Sequence, residues 1–256
     1  MHRLLVPTEL LEADSPLLPQ AALKHLRVVR PEEGEQIELF DGRGKWRIYS
    51  YTNRVLRAHS HLFVAPSPSL NLTLFACVTK GSRWDWTIEK ATELGVARIV
   101  PVMSARTIVR IPASERAAKR GRWQRIVEDA ARQSDAKWVP EVCAPIDFAA
   151  ALSLVRETIC FIGALTNPPS PSLVQAVRSF DLSAQRALST FIGPEGDFTP
   201  SELAALTEVA VPTSFGPTIL RAETAAIYAL SVITALSAAK EVCDAKSDKG
   251  NCCTND

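Results

Sequence analysis

The chain has 256 residues, enough for one medium domain and a small one, and its 46% hydrophobic and 22% charged content is that of an ordinary globular protein. Its 29 basic and 28 acidic side chains leave a formal net charge of +1, which excludes a protein that grips nucleic acid by bulk charge; such binding must come from local patches. No run approaches the roughly 20 apolar residues of a membrane span, and the first ten residues, which include Arg3 and Glu9, lack the apolar core of a signal peptide, so the expected place is the cytoplasm, with no membrane attachment.

In chain order, residues 2–6 predict a strand and residues 19–30 a short helix, with Leu23, Leu26 and Val29 on one face. Residues 35–40, 45–51 and 61–65 predict strands, and Asp41-Gly42 supplies the turn between the first two. Several short strands and one helix predict a small β-barrel over residues 1–66. Ala65-Pro66-Ser67-Pro68-Ser69 has the composition of a linker.

A second domain, residues 70–239, then alternates. Strands are predicted at 71–78, 98–102, 139–143, 158–163 and 188–193, and helices at 84–94, 114–134 and 222–238, with Gly95 placed to cap the first of these helices. Strand and helix in turn predict an α/β domain with a mostly parallel sheet covered on both faces. Residues 240–256 are polar and charged and are expected to be disordered. Cys77, Cys143 and Cys160 lie in apolar runs, as small buried hydrophobes do. No C-x-x-C pair exists, no His stands at zinc-ligand spacing from a Cys, and His59 and His61 have no acidic or thiol neighbour, so no metal site is expected.

Three segments of the second domain carry possible chemistry. In residues 191–199, Gly193-Pro194-Glu195-Gly196 follows an apolar strand, in the region where open α/β sheets bind ligands. This is either a tight strand-to-helix turn or a loop whose bare backbone lets a flat ligand come close. Thr199 and Glu202 have the spacing of a capping box for the next helix. In residues 214–225 a Gly-Pro loop leads into a helix that begins at Arg221, where the helix dipole favours anions. Arg221 either makes a weak surface contact with Glu223 or holds an anion beside the helix end. In residues 79–95 a small-residue turn opens a helix with an apolar stripe of Trp84, Ile88, Ala91 and Leu94, the pattern of an ordinary amphipathic helix.

Taken together these segments resemble the bacterial 16S rRNA uracil-N3 methyltransferases (the RsmE type) of the SPOUT class, over residues 1 to about 238. His25-Leu26-Arg27-Val28-Val29-Arg30 and the run from Gly34 to Gly42 are similar to that family's N-terminal PUA-like barrel. The run from Glu89 to Val96, Pro101 and Ser104-Ala105-Arg106-Thr107 are similar to the opening of its catalytic domain. Gly193-Pro194-Glu195-Gly196 and Leu220-Arg221-Ala222-Glu223-Thr224-Ala225 are similar to its cofactor loops. The chain departs from the family at Asp197, where a Gly is usual, near Arg132, where a Glu is expected, and in the tail after Glu241.

The resemblance implies a trefoil-knotted C-terminal domain that holds S-adenosyl-L-methionine between three loops. The contacts it implies are Leu165, Ile192, Gly193, Pro194, Glu195, Gly196, Phe215, Gly216, Ile219, Leu220 and Thr224. It implies catalytic roles for Arg221 and Glu223, and a homodimer packed through the last helix at Ala225, Ala226 and Ala229. Its implied substrate is 16S rRNA of the small ribosomal subunit. Between residues 101 and 125, Arg106, Arg110, Arg116, Lys119, Arg120, Arg122 and Arg125 stand against Glu115 alone, a solvated face or an RNA patch. The resemblance favours RNA for Arg106, Arg110, Arg122 and Arg125, together with Arg27, Arg30 and Arg83. Another RNA target such as tRNA and a non-catalytic RNA-binding protein are the alternatives; a dinucleotide oxidoreductase would need a G-x-G-x-x-G that Lys80-Gly81-Ser82-Arg83 does not supply.

Overall fold

The computed structural model describes residues 1–164, 170–181 and 187–250. The chain divides into two compact units, Met1–Pro68 with Val127–Val139, and Ser69–Ile126 with Pro140–Asp256. The first cut falls within the proline-bearing stretch. That Val127–Val139 groups with the first unit has no counterpart in a reading of consecutive segments.

The first unit holds β1 (His2–Leu5), a 3-10 turn (Thr8–Leu11), α1 (Gln20–Val29), β2 (Gln36–Phe40), β3 (Lys45–Thr52), β4 (Val55–Ala58) and β5 (Phe63–Val64). Its sheet runs β1-β2-β3-β4, with β5 also on β3; β1 and β2 are parallel and the other pairs antiparallel. β4 is absent from the sequence expectation. Its hairpin turns at Asn53 and Arg54, both at positive φ (50° and 63°), as a two-residue hairpin requires, but without the glycine that announces one. Leu4, Leu11, Leu26, Ile37, Leu39 and Tyr49 make the core.

The second unit holds β6 (Asn71–Cys77), α2 (Ser82–Glu93), β7 (Arg98–Met103), α3 (Ala113–Gln133), β8 (Glu141–Val142), β9 (Ile146–Asp147), α4 (Phe148–Val155), β10 (Ile159–Gly163), α5 (Leu173–Arg178), β11 (Ala187–Ile192), α6 (Pro200–Thr207), β12 (Val211–Thr213) and α7 (Ala222–Gly250). Its strands are all parallel, in the order β12-β10-β11-β6-β7-β8, with β9 also on β7. Pro101 sits inside β7 and has no N–H to give. On the β8 side the partner strand is interrupted there: β8 pairs with Arg98 and Ile99, and β9 with Val102 and Met103. α2 ends in a Schellman turn: Gly95, at φ 79°, donates to the Thr92 carbonyl and Val96 to the Ala91 carbonyl. Trp84 and Trp123 are buried against each other, 5.3 Å between ring centres, so neither offers a face to a base.

α7 continues to Gly250, through a segment expected to be disordered from residue 240; residues 251–256 lie outside the described chain. Its stretch Ala222–Ala239, with mean hydropathy 1.4, is long and apolar enough by composition to cross a membrane, against the expectation that no run comes near, but Ala226, Ala229, Leu230 and Ile233 are wholly buried within the unit. They pack where α7 meets α2, α5 and β11. Ala226 and Ala229, implied by the family resemblance to face a partner copy, therefore face this chain's own core.

Candidate active site

β12, β10, β11 and β6 are neighbours and parallel, so the loops that leave their C-terminal ends emerge along one edge of the sheet. There they enclose a cavity of about 630 Å³, the size of a small-ligand site. Ile192, Gly193, Pro194 and Glu195 line it from the loop after β11, and Phe215, Gly216, Ile219, Leu220 and Arg221 from the loop between β12 and α7. Gly163 lines it from the end of β10 and Arg83 from the first turn of α2. Gly196 and Thr224, expected in the same site, flank the cavity without lining it, and Leu165 lies outside the described residues.

Two glycines let an aromatic ring pack close against the backbone. A Cβ on Gly163 would stand 2.9 Å from the Phe215 ring, and one on Gly193 would stand 3.0 Å from the Phe198 ring. The backbone is therefore bare on the cavity wall at both positions. Phe191, Ile192, Phe215 and Leu220 give it an apolar wall; Arg83, Glu195, Asp197 and Arg221 give it a charged rim. Ile219 is 86% exposed on that rim, an apolar side chain waiting for cover.

Thr199 and Glu202 form the capping box at the start of α6 that their spacing predicts, with Pro200 in the first turn. The loop ahead of it turns through Asp197 at φ 60°, closed by the Asp197 N–H on the Pro194 carbonyl at 3.0 Å. Asp is one of the few residues besides Gly that tolerates this region, which is why the family's glycine is dispensable here.

Arg221 immediately precedes α7, and its carbonyl accepts the Ala225 N–H at 2.8 Å. Its guanidinium is exposed at the cavity. Glu223 does not line the cavity. One of its carboxylate oxygens is 3.9 Å from Arg83, and the other is buried with no hydrogen-bond partner among the described residues. Arg83 also stands 3.8 Å from Glu195; at such spacing and half exposed, these pairs add little stability.

The arginines expected to face RNA divide into two groups. Arg27 and Arg125 are exposed, with no ion pair or hydrogen bond among the described residues. Arg30 is exposed at a polar hollow that it shares with Glu32, Glu33 and Glu35. Arg122 is paired with Asp85, and Arg83 with two glutamates as above. Arg106 donates to the carbonyls of Gly196 and Phe198, and Arg110 to those of Ser104 and Ala105. Within the same run Arg116 is paired with Asp147 and Arg120 with Glu141. A count of acids within residues 101–125 missed these partners because Asp85, Glu141 and Asp147 lie outside it in sequence. Among the described residues no group of three or more His, Cys, Asp or Glu could hold a metal ion.

Residues 65–234 match the RNA methyltransferase domain family. The chain belongs to that family. It is 36% identical, over 92% of its length and 78% of the relative's, to ribosomal RNA small subunit methyltransferase E of Synechocystis. It is 32% identical to the Mycobacterium bovis protein of the same name, over 83% of this chain and 82% of that one. Among solved structures, ribosomal RNA small subunit methyltransferase E from Neisseria gonorrhoeae, bound to S-adenosyl methionine, superposes with a TM-score of 0.75 at 29% identity, covering 92% of this chain and 98% of that one. A Legionella pneumophila methyltransferase in complex with the same cofactor gives a TM-score of 0.78 at 29% identity, over 91% and 97%. The fold of this methyltransferase is thus the α/β SPOUT class with an N-terminal β domain.

Proposed function

We propose that this protein methylates N3 of a uridine in 16S ribosomal RNA of the small subunit, with S-adenosylmethionine as donor. The observation that carries the reading is the glycine-walled cavity at the edge of neighbouring parallel strands, in a chain alike over most of its length to rRNA methyltransferases. The residues present suit such a donor. Ile192, Phe215 and Leu220 form an apolar slot for a flat base, Gly163 and Gly193 let the backbone approach, and Glu195 and Asp197 are acceptors at the rim for a cationic end.

The bound donor supplies an electrophilic methyl group; the protein supplies position and electrostatics. Uracil N3 must shed its proton, and negative charge then builds on the two flanking carbonyl oxygens. Arg221, exposed at the cavity, donates to those oxygens and lowers the barrier. The proton passes to solvent at the rim: Glu89 is bonded to Lys90 at 2.8 Å, and Glu223, which does not line the cavity, acts through Arg83, 3.9 Å away.

RNA phosphates are met by the solvent-facing cations, Arg27 and Arg125 foremost, each phosphate contact adding about −0.7 to −0.9 to the log–log salt slope. The protein works as a homodimer in the cytoplasm and without a metal. In the apolar Ala222–Ala239 stretch only 22% of the residues are fully buried and most of the others are half-buried by their own chain, and a second copy is the natural cover for the rest. Labelled donor, purified protein and small-subunit RNA test the reading, with nucleoside mass spectrometry of the product. Donor-dependent 3-methyluridine is the expected product; label on tRNA instead would move the target, and RNA binding with no transfer would favour the non-catalytic alternative.

A further inference from the structure

We infer that Arg106 is a positioning residue of the donor site, a clamp on the loop after β11, and not a contact to RNA; this rests on the reading that the cavity binds S-adenosylmethionine. One guanidinium nitrogen of Arg106 donates to the carbonyl of Gly196 at 3.0 Å and to that of Phe198 at 3.3 Å. Those two carbonyls flank Asp197, whose φ of 60° is a conformation that few residues with a Cβ adopt. Asp197 and Glu195 line the cavity, so the shape of this turn is the shape of the wall.

The clamp is itself anchored. Arg110 donates to the carbonyls of Ser104 at 2.9 Å and Ala105 at 2.5 Å, and Ser104 N–H donates to Thr107 Oγ1 at 2.9 Å. The Ala105 N–H donates to one oxygen of Glu202 at 2.7 Å, while the other oxygen of Glu202 accepts the Thr199 N–H at 3.0 Å. The loop after β7 is therefore stapled at two points to the segment after β11, by the Arg106 side chain to the loop and by the Ala105 N–H to Glu202 in α6. Arg106 is exposed, but the arm that would turn to a phosphate is spent on two main-chain oxygens. Removing it frees the Gly196–Phe198 turn to sample other conformations, and the donor must then order the wall on binding.

Calorimetry of the full-length protein with S-adenosylmethionine, alongside salt-dependent binding of small-subunit RNA, tests the assignment on Arg106→Ala and Arg106→Lys. Arg106→Ala is expected to weaken donor binding about fivefold or more, the effect of losing charge-assisted hydrogen bonds. Its unfolding temperature without donor and its RNA salt slope are expected to match the parent, and Arg106→Lys, which can still reach one carbonyl, to recover part of the loss. Donor affinity within about twofold of the parent overturns the clamp, and so does a salt slope shallower by about 0.7 with donor affinity unchanged, the signature of a lost phosphate contact. If the unaltered protein itself takes up no donor, the underlying donor-site reading fails instead, and the two failures are told apart by that control.

Discussion

At the scale of single residues, the decisive features are where charge is placed and whether it is spent. Arg221 faces the cavity unencumbered, so Arg221→Ala should abolish turnover while S-adenosylmethionine binding, measured by calorimetry, stays close to that of the parent; full turnover in this variant would remove it from the chemistry. His25 is displaced below its ordinary value of 6.5 by burial first, then by the positive charges of Arg132 and His2. The folded state thus takes up this proton less readily than the unfolded one. Its contribution to stability is complete above pH 6.5 and is lost as pH falls from there through the lower value of the folded state. A His25→Gln variant should show a flatter dependence of unfolding temperature on pH between about 7.5 and 5.5; an unchanged dependence would mean that other groups carry it. Burial pushes the Cys77 thiol up to about 11 and the Cys160 thiol up to about 12, so neither should react with a thiol reagent at neutral pH in the native protein.

At the scale of elements, the end of α3 is held by a buried ion cluster. Arg3, 8% exposed, donates to Glu38 at 2.8 Å and to the carbonyls of Ala131, Arg132 and Ala136 at 2.7, 3.3 and 3.1 Å, with the Phe40 ring 4.2 Å beneath it. Ala131 and Arg132 lie in the last turn of α3 and Ala136 just beyond it, where a cation complements the dipole. Lys137 donates to both oxygens of Glu38 at 2.8 Å. Glu38→Ala would leave Arg3 and Lys137 with only the exposed Asp135 as counter-charge and should cost about 3 kcal/mol in denaturant unfolding; a loss under about 1 kcal/mol, the worth of a surface pair, would mean the cluster is solvated in solution. Nothing local in the sequence marks this cluster, because its members come from residues 3, 38 and 135–137 and meet only when the chain folds. The capping box at Thr199 and the Schellman turn at Gly95 were legible, because each is settled within five or six neighbouring residues.

At the scale of the whole molecule, the half-buried apolar stretch of α7 bears on assembly. Sedimentation should give twice the 27.9 kDa chain mass, and Ala235→Arg, at an exposed position of that stretch, should shift the protein toward monomer; a parent that sediments as monomer at micromolar concentration contradicts the dimer. The amino-acid sequence by itself determined the alternation of strand and helix, the caps, and the glycine-bearing loops with Arg221 behind them, since hydrophobic period and turn chemistry act over a few residues. It did not determine β12, three residues with Pro212 at the sheet's edge, where a missing N–H is tolerated, nor the run Val127–Val139 grouping with the first unit. Tertiary structure alone decided which arginines remain open to a ligand and which are consumed by carbonyls and acids distant in sequence. Charge is written residue by residue, but whether a charge is spent depends on partners that only long-range packing brings within 4 Å of it.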